Sequence, residues 1–118
     1  MMQSAVEIPI GPADAIPPGE GRNVEVLGHR IAIFHTRGGE FFAVQAECPH
    51  RQGPLADGLV GGSTLICPLH AWKFDLRTGQ ALVGACGLKT YPVRLEAGQI
   101  VLLFDRANGP ATDQVKSA

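Results

Sequence analysis

The sequence predicts an all-β fold, because short apolar runs alternate with turn residues along most of its length. Its 118 residues include 15 glycines and 9 prolines, the two residue types that most often end strands and form turns. No segment keeps its apolar residues at the three- and four-residue spacing of an amphipathic helix. These observations favour an antiparallel β-sandwich base with one modest core.

Eight segments have the length and the apolar or β-branched content of strands. The predicted strands are Val6–Ile10, Asn23–Leu27, Arg30–His35, Phe41–Gln45, Ser63–Ile66, Lys73–Asp75, Tyr91–Leu95 and Gln99–Phe104. Glycines between them predict tight turns. The turns are Gly28-His29, Arg37–Glu40, Leu76–Gln80 and Glu96–Gly98. The apolar run from Ile100 to Leu103 is continuous enough for a central or doubly covered strand.

Residues 46–74 differ from the rest because they consist mostly of predicted loops. We expect them to form a small loop-rich subdomain on the β base, within a single domain of residues 1–105. Functional loops on a rigid scaffold are common, since a site needs fixed side-chain directions. Residues 106–118 are polar, and we expect them to be a mobile C-terminal tail.

Two Cys/His pairs lie in this loop segment, in matched local contexts. They are Cys48-Pro49-His50 and Cys67-Pro68-Leu69-His70. A C-x-H pair followed by C-x-x-H is the ligand pattern of a Rieske 2Fe-2S cluster, in which thiolates hold one iron and imidazoles hold the other. The candidate ligands, for both the metal and the cofactor, are therefore Cys48, His50, Cys67 and His70.

The four residues also allow a site without iron and sulfide. A structural zinc site uses two cysteines and two histidines as well, but zinc loops usually pair like with like. A Cys-His nucleophile would leave the second pair without a role. Buried cysteines and core histidines at this spacing by chance would be rarer still.

Mixed ligation has a direct electrostatic consequence. Two ferric ions, two sulfides, two thiolates and two neutral imidazoles sum to a charge of about zero, against about minus two for four thiolates. An electron enters the neutral centre more easily. Pro49 and Pro68 stiffen the two arms, but cannot donate hydrogen bonds. Neighbouring N–H groups, at Arg51 to Gly53 and at Ala71 and Trp72, would have to serve the sulfurs.

Composition limits the partners and the compartment. The net charge of −1, with 18% charged residues, gives no basic patch for nucleic acid or a membrane surface. The N-terminal residues 1–7 lack the basic and apolar regions of a signal peptide, and no apolar run is long enough to cross a membrane. With Cys48 and Cys67 assigned to iron, Cys86 has no intrachain partner. We expect a cytoplasmic protein whose partner is another protein.

These residues resemble the Rieske family over nearly the whole chain. The resemblance implies a pair of small antiparallel sheets, with a third sheet that carries two cluster loops. It also implies that Cys48 and Cys67 bind one iron, while His50 and His70 bind the other through Nδ1. The chain would then be an electron carrier that catalyses no bond change itself.

Within the family, the arms Cys48–Leu55 and Cys67–Gln80 most resemble the small subunit of assimilatory NAD(P)H-dependent nitrite reductase. The segment Ala85–Val93 is similar to the same subunit. The Rieske ferredoxins of bacterial aromatic-ring dioxygenases share the ligands and the length. The implied partner is thus the nitrite reductase large subunit or, alternatively, a ferredoxin reductase and a terminal oxygenase.

Four positions depart from the high-potential branch of the family found in cytochrome bc complexes. Gly53 and Leu69 replace the cysteines of a disulfide between the arms, and Trp72 and Phe74 replace a serine and a tyrosine that donate hydrogen bonds. Fewer donors stabilise less negative charge. We therefore expect a potential in the lower half of the Rieske range.

Several residues near the arms have predicted roles. Trp72 could cover the cluster or pack beneath the second loop, and we expect it to anchor that loop. Gly84–Leu88 could form a third loop over the cluster, which Cys86 would approach without binding it. Arg51 could contact a partner carboxylate or only water. His29 and His35 are expected to have no metal role.

Two alternative functions stay open besides electron transfer. The cluster region could serve mainly as a docking module within nitrite reductase, or the chain could be a zinc-stabilised interaction domain. A zinc-stabilised domain would be colourless and free of sulfide.

Overall fold

The computed structural model describes residues 5–48, 54–68, 72–84, 86–105 and 109–110. These residues form strands and two short 3-10 helices, Ala13–Ala15 and Leu55–Asp57, so the predicted all-β class is confirmed. The strands are β1 (Ala5–Pro12), β2 (Glu20–Val26), β3 (His29–His35), β4 (Phe41–Gln45), β5 (Leu59–Gly61), β6 (Thr64–Ile66), β7 (Lys73–Asp75), β8 (Ala81–Val83), β9 (Thr90–Tyr91), β10 (Val93–Glu96), β11 (Gln99–Asp105) and β12 (Gly109–Pro110). No helix in these ranges is long and apolar enough to cross a membrane.

The strands form three antiparallel sheets. The first sheet has the order β1-β11-β10, with β12 also paired to β11. The second has the order β2-β3-β4-β9. The third, which we call the cluster sheet, has the order β5-β6-β7-β8. The predicted central position of the Ile100 to Leu103 run is confirmed, because β11 lies between β1 and β10.

The second sheet is the middle layer, and its strand β3 is buried on both faces. Along β3, Ile31, Ala32, Ile33 and Phe34 are all inaccessible to solvent. Ile31 and Ile33 pack with residues of the first sheet, whereas Ala32 and Phe34 pack with residues of the cluster sheet. Successive side chains of a strand point to opposite faces, so one apolar run contributes to two cores. The expectation of one core is therefore wrong.

The predicted strand Tyr91–Leu95 is wrong as a single element. It is divided between β9, which pairs with β4, and β10, which pairs with β11 in the first sheet. Pro92 stands at the division because it has no N–H with which to continue a ladder. Its carbonyl instead accepts a hydrogen bond of 2.9 Å from the N–H of Leu103. This proline therefore passes the chain from the middle layer to the first sheet.

The first predicted hairpin turn is displaced by one residue. Val26 pairs with His29, so the turn residues are Leu27 and Gly28. Both have positive φ, 50° and 84°, as a type I′ turn requires. His29 is already the first residue of β3.

Two strands of the cluster sheet, β5 and β8, were not predicted. Each has three residues and includes large apolar side chains that face solvent, Leu59 at 71% exposure and Leu82 at 54%. Neither strand shows alternating apolar and polar residues. Each is a strand because it pairs with a neighbour, β5 with β6 and β8 with β7. The sheet therefore extends to Val83, beyond residue 74.

One short element lies in the segment that was expected to be a mobile tail. β12 pairs Pro110 with Phe104 and Gly109 with Asp105. Residues 106–108 and 111–118, which were part of the same expectation, lie outside the described residues.

The β2–β3 turn offers a test of the hairpin geometry. Leu27 is 60% exposed and adopts a left-handed conformation that leucine disfavours and asparagine tolerates. We expect Leu27→Asn to raise the free energy of unfolding by about 0.5–1 kcal/mol, measured by urea denaturation. Leu95→Asn, at an exposed strand position, is the matched control and should give no gain. An equal gain in both variants would show that lost surface hydrophobicity is the cause.

Candidate metal centre

Cys48 and Cys67, each at the start of an arm, lie in one apolar cluster. Cys48 is 1% exposed and Cys67 is 2% exposed. Both pack in a cluster that includes Leu55, Leu65 and Leu88, and neither forms a disulfide. Two sequence-predicted ligands are therefore buried side chains of the same small core.

The first arm is closed at its base by backbone pairing. Glu47 bridges to Pro54 in antiparallel fashion, and the N–H of Leu55 donates to the carbonyl of Ala46 at 3.0 Å. The N–H of Ala46 in turn donates to the carbonyl of Arg30 in β3 at 3.1 Å. Cys48 is thus fixed at the point where the arm leaves the middle sheet.

The second arm is the loop of the β6–β7 hairpin. Ile66 pairs with Lys73, and the N–H of Cys67 donates to the carbonyl of Trp72 at 2.7 Å. The pairing holds both ends of the loop, so Cys67 is set at its start by the strand geometry. The Trp72 side chain packs on the same apolar cluster, with its ring centroid 6.3 Å from that of Phe74. The expected role of Trp72 as an anchor of this loop agrees with that packing.

A third segment, Gly84–Leu88, meets the end of the second arm at Gly84, which faces the ring of Trp72. Its expected place over the cluster stays a prediction. The N–H of Leu88 donates to the carbonyl of Gly79 at 2.7 Å, and Leu88 is buried in the cluster. Cys86 is exposed and its thiol is free. Ala85 lies outside the described residues.

The two predicted histidine ligands, His50 and His70, lie outside the described residues, as does Arg51. Within the described ranges, no group of three or more His, Cys, Asp and Glu side chains is placed to hold a metal ion. Of the four predicted ligands, the described residues include the two cysteines, and these lie in the same apolar cluster.

The other two histidines lie in the base of the molecule. The His35 ring stacks on Phe41 with centroids 4.1 Å apart, and its Nδ1 lies 2.6 Å from the carbonyl oxygen of Ile16. The His29 ring meets Phe104 edge-on at 5.0 Å. Both contacts are with the base rather than with the arms.

Gln45 is a positioning residue that the sequence analysis missed. Its side-chain amide donates to the carbonyl of Glu47 at 2.8 Å, and its side-chain oxygen accepts from the N–H of Lys89 at 2.8 Å. It thereby ties the start of the first arm to the end of the third segment. An amide residue that ends the apolar strand Phe41–Gln45, directly before a Cys/His arm, was the available signal.

The chemistry of the buried donors fits an iron–sulfur cluster. A cysteine is often buried simply as a small apolar side chain, but two cysteines outside any disulfide, at the starts of two closed loops, can act together as ligands. A buried thiolate needs a compensating positive charge, and a metal supplies it. Short, closed loops also restrict the directions of the donors, as a rigid centre requires.

Comparison with known proteins establishes the family. The profile of the Rieske [2Fe-2S] domain matches residues 6–92. The biphenyl dioxygenase ferredoxin subunit of Pseudomonas sp. strain KKS102 is 39% identical over 97 residues, which cover 80% of this chain and 88% of the relative. The chain belongs to the Rieske 2Fe-2S family, as the ligand pattern predicted, and this membership implies a Rieske-type 2Fe-2S cluster rather than zinc.

The same domain occurs in a much longer relative. The 4beta-methylsterol monooxygenase of Methylococcus capsulatus is 37% identical over 98 residues, which cover 74% of this chain but only 27% of the relative. The match therefore extends to one domain of that relative and not to the rest of its length.

Solved structures confirm the fold. A structure named as a nitrite reductase NADPH small subunit superposes with a TM-score of 0.76 at 28% identity, covering 82% of this chain and 97% of that one. A chain from the complex of oxygenase and ferredoxin in carbazole 1,9a-dioxygenase gives a TM-score of 0.74 at 25% identity, covering 82% and 92%. The protein is therefore a Rieske electron-transfer protein, of a family that works with redox partner proteins.

The role of Gln45 can be tested by substitution. Gln45→Leu replaces the amide with an apolar side chain of similar size and removes both hydrogen bonds, so the N–H of Lys89 and the carbonyl of Glu47 lose these partners. We expect the free energy of unfolding to fall by about 1–3 kcal/mol, measured by urea denaturation. Gln99→Leu, at an exposed position of β11, is the control. Equal stabilities of the two variants would contradict the role of Gln45 in joining the segments.

Proposed function

We propose that this chain is the ferredoxin of a bacterial Rieske oxygenase system, which carries single electrons from a ferredoxin reductase to a terminal oxygenase. The observation that carries the proposal is the 39% identity to a dioxygenase ferredoxin along 88% of that relative. Among the solved structures, the nitrite reductase small subunit that the arm sequences favoured and the carbazole dioxygenase ferredoxin have similar identities to this chain, 28% and 25%.

The proposed ligands are the four predicted residues. Cys48 and Cys67 would hold one iron of the cluster, and His50 and His70 the other. When bound, the cluster supplies a reversible one-electron acceptor of raised potential. The chain's own residues fix the thiolates, and the apolar side chains around them exclude water. The fully buried members of that apolar set include Leu55, Leu65 and Phe74.

The proposed carrier needs an accessible face and a weak interface with each partner. Redox partners that must exchange quickly bury little surface, below about 1,200 Å². The two arms carry the proposed ligands, so a partner would approach the molecule at their tips. We also propose a cytoplasmic location for this carrier.

The second candidate function is the small subunit of an NAD(P)H-dependent nitrite reductase. The TM-score of 0.76 and the 97% coverage of the nitrite reductase small subunit favour it. In that case the chain would stay bound to a large subunit, and docking would be part of its role.

The ligand assignment predicts which substitutions abolish the cluster. His70→Ala and Cys67→Ser should lose the visible absorption and the electron paramagnetic resonance signal of the reduced cluster, because each removes one donor to an iron. Cys86→Ser and His29→Ala, which alter the same residue types away from the proposed ligands, should retain both. Acid-labile sulfide and iron should be present in equal amounts in the wild-type chain. A His70→Ala variant with the unchanged signal would contradict the assignment.

The choice between the two systems can be made by reconstitution. We expect the reduced chain to support substrate turnover with the reductase and oxygenase components of a biphenyl dioxygenase system, and His70→Ala to support none. Co-purification with a large flavin and sirohaem subunit, with nitrite reduction that depends on the cluster, would instead establish the second candidate. Adjacent genes for a dioxygenase or for a large nitrite reductase subunit give an independent check.

A further inference from the structure

Gly84 lies directly after β8 and faces the indole ring of Trp72. Its φ is +128°, a backbone conformation that side chains rarely adopt. A Cβ added there would lie 2.5 Å from Cδ2 and 2.9 Å from Cζ3 of Trp72, and would also overlap Cε3. Two separate constraints, the backbone conformation and the ring, therefore require glycine.

The ring that Gly84 accepts belongs to the residue that closes the second arm. The carbonyl of Trp72 receives the N–H of Cys67 at 2.7 Å, while its side chain packs against the apolar cluster and Phe74. The indole is thus held between the core on one side and the backbone of residue 84 on the other. A displacement of the ring would be transmitted to the closure of the arm.

The third segment is also held at its other end. Leu88 is buried, and its N–H bonds to the carbonyl of Gly79 in the turn before β8. A Cβ on Gly79 would overlap the carbonyl oxygen of Leu88, and one on Gly87 would lie 2.7 Å from the carbonyl oxygen of Gly79. The segment therefore has little freedom to move aside if residue 84 gains a side chain.

We propose that Gly84 is a positioning residue for the cluster, which acts through Trp72 to set the second ligand arm. The inference rests on the proposed ligand set. Of the two proposed ligands on this arm, His70 is two residues before Trp72, and the N–H of Cys67 donates a hydrogen bond to the Trp72 carbonyl. A methyl group at position 84 would push the indole toward the core or outward. Either movement strains the Cys67–Trp72 closure and changes the direction of the donors on that arm.

Gly84→Ala tests the proposal through the cluster itself. We expect changed g values in the electron paramagnetic resonance spectrum, a changed midpoint potential, and loss of iron to a chelator that is about 10-fold faster or more, as for other residues that orient metal ligands. Gly11→Ala is the matched control, because Gly11 has a comparable φ of +151° but no atom within 4 Å of an added Cβ. It should keep the wild-type spectrum, since it adds backbone strain without the ring contact.

A second substitution shows whether the effect passes through the indole. Trp72→Phe removes the ring atoms that meet residue 84, so Gly84→Ala should change the g values and the iron-loss rate less in that background than in the wild type. Equal effects in both backgrounds would overturn the proposal, as would a Gly84→Ala variant that behaves like Gly11→Ala. If Gly84→Ala does not fold, Trp72→Phe alone must shift the g values, and an unchanged spectrum overturns the inference. A wild-type chain without a cluster would overturn the proposed function instead.

Discussion

The structure depends on the burial of both faces of strand β3, in the middle sheet. Strand β3 sends Ile31 and Ile33 into the core shared with the first sheet, and Ala32 and Phe34 into the core shared with the cluster sheet. The second core also contains Cys48 and Cys67. Because interiors are packed at near-crystal density, the same contacts that stabilise the fold also fix the two thiols relative to each other.

The arms themselves are short, and their positions come from what closes them. A loop that carries a ligand must leave and re-enter the fold without leaving buried backbone groups unpaired. The Glu47–Pro54 bridge does this for the first arm, and the hydrogen bond from Cys67 to Trp72 does it for the second. Side chains then tie the closures to the third segment: Gln45 joins the first arm to Lys89, and Trp72 joins the second arm to Gly84. These contacts connect parts of the chain that are distant in sequence.

This distance explains which features the sequence could predict. The strands Phe41–Gln45 and Lys73–Asp75 were predicted with their observed bounds, because their apolar content and flanking turn residues are local signals. The strands β5 and β8 were missed because they depend on pairing with β6 and β7. The division at Pro92 was missed although proline is a local signal, since the two halves belong to different sheets. The ligand spacing predicted the class of cofactor, but the role of Gln45 depends on a partner 44 residues away.

The cofactor supplies the redox chemistry, which explains why a small domain is sufficient for electron transfer. Electron transfer needs no substrate pocket, so the chain has only to hold the metal, keep water from the sulfur donors and present a surface to partners. The domain recurs at 37% identity in a relative of which the match covers 27%, and along nearly the whole of a separate ferredoxin. Sequences of this family thus occur both as a separate ferredoxin and as part of a longer protein. In the described part of the chain, the contacts among Gln45, Trp72 and Gly84 act on the closures of the two arms and, through them, on the proposed centre.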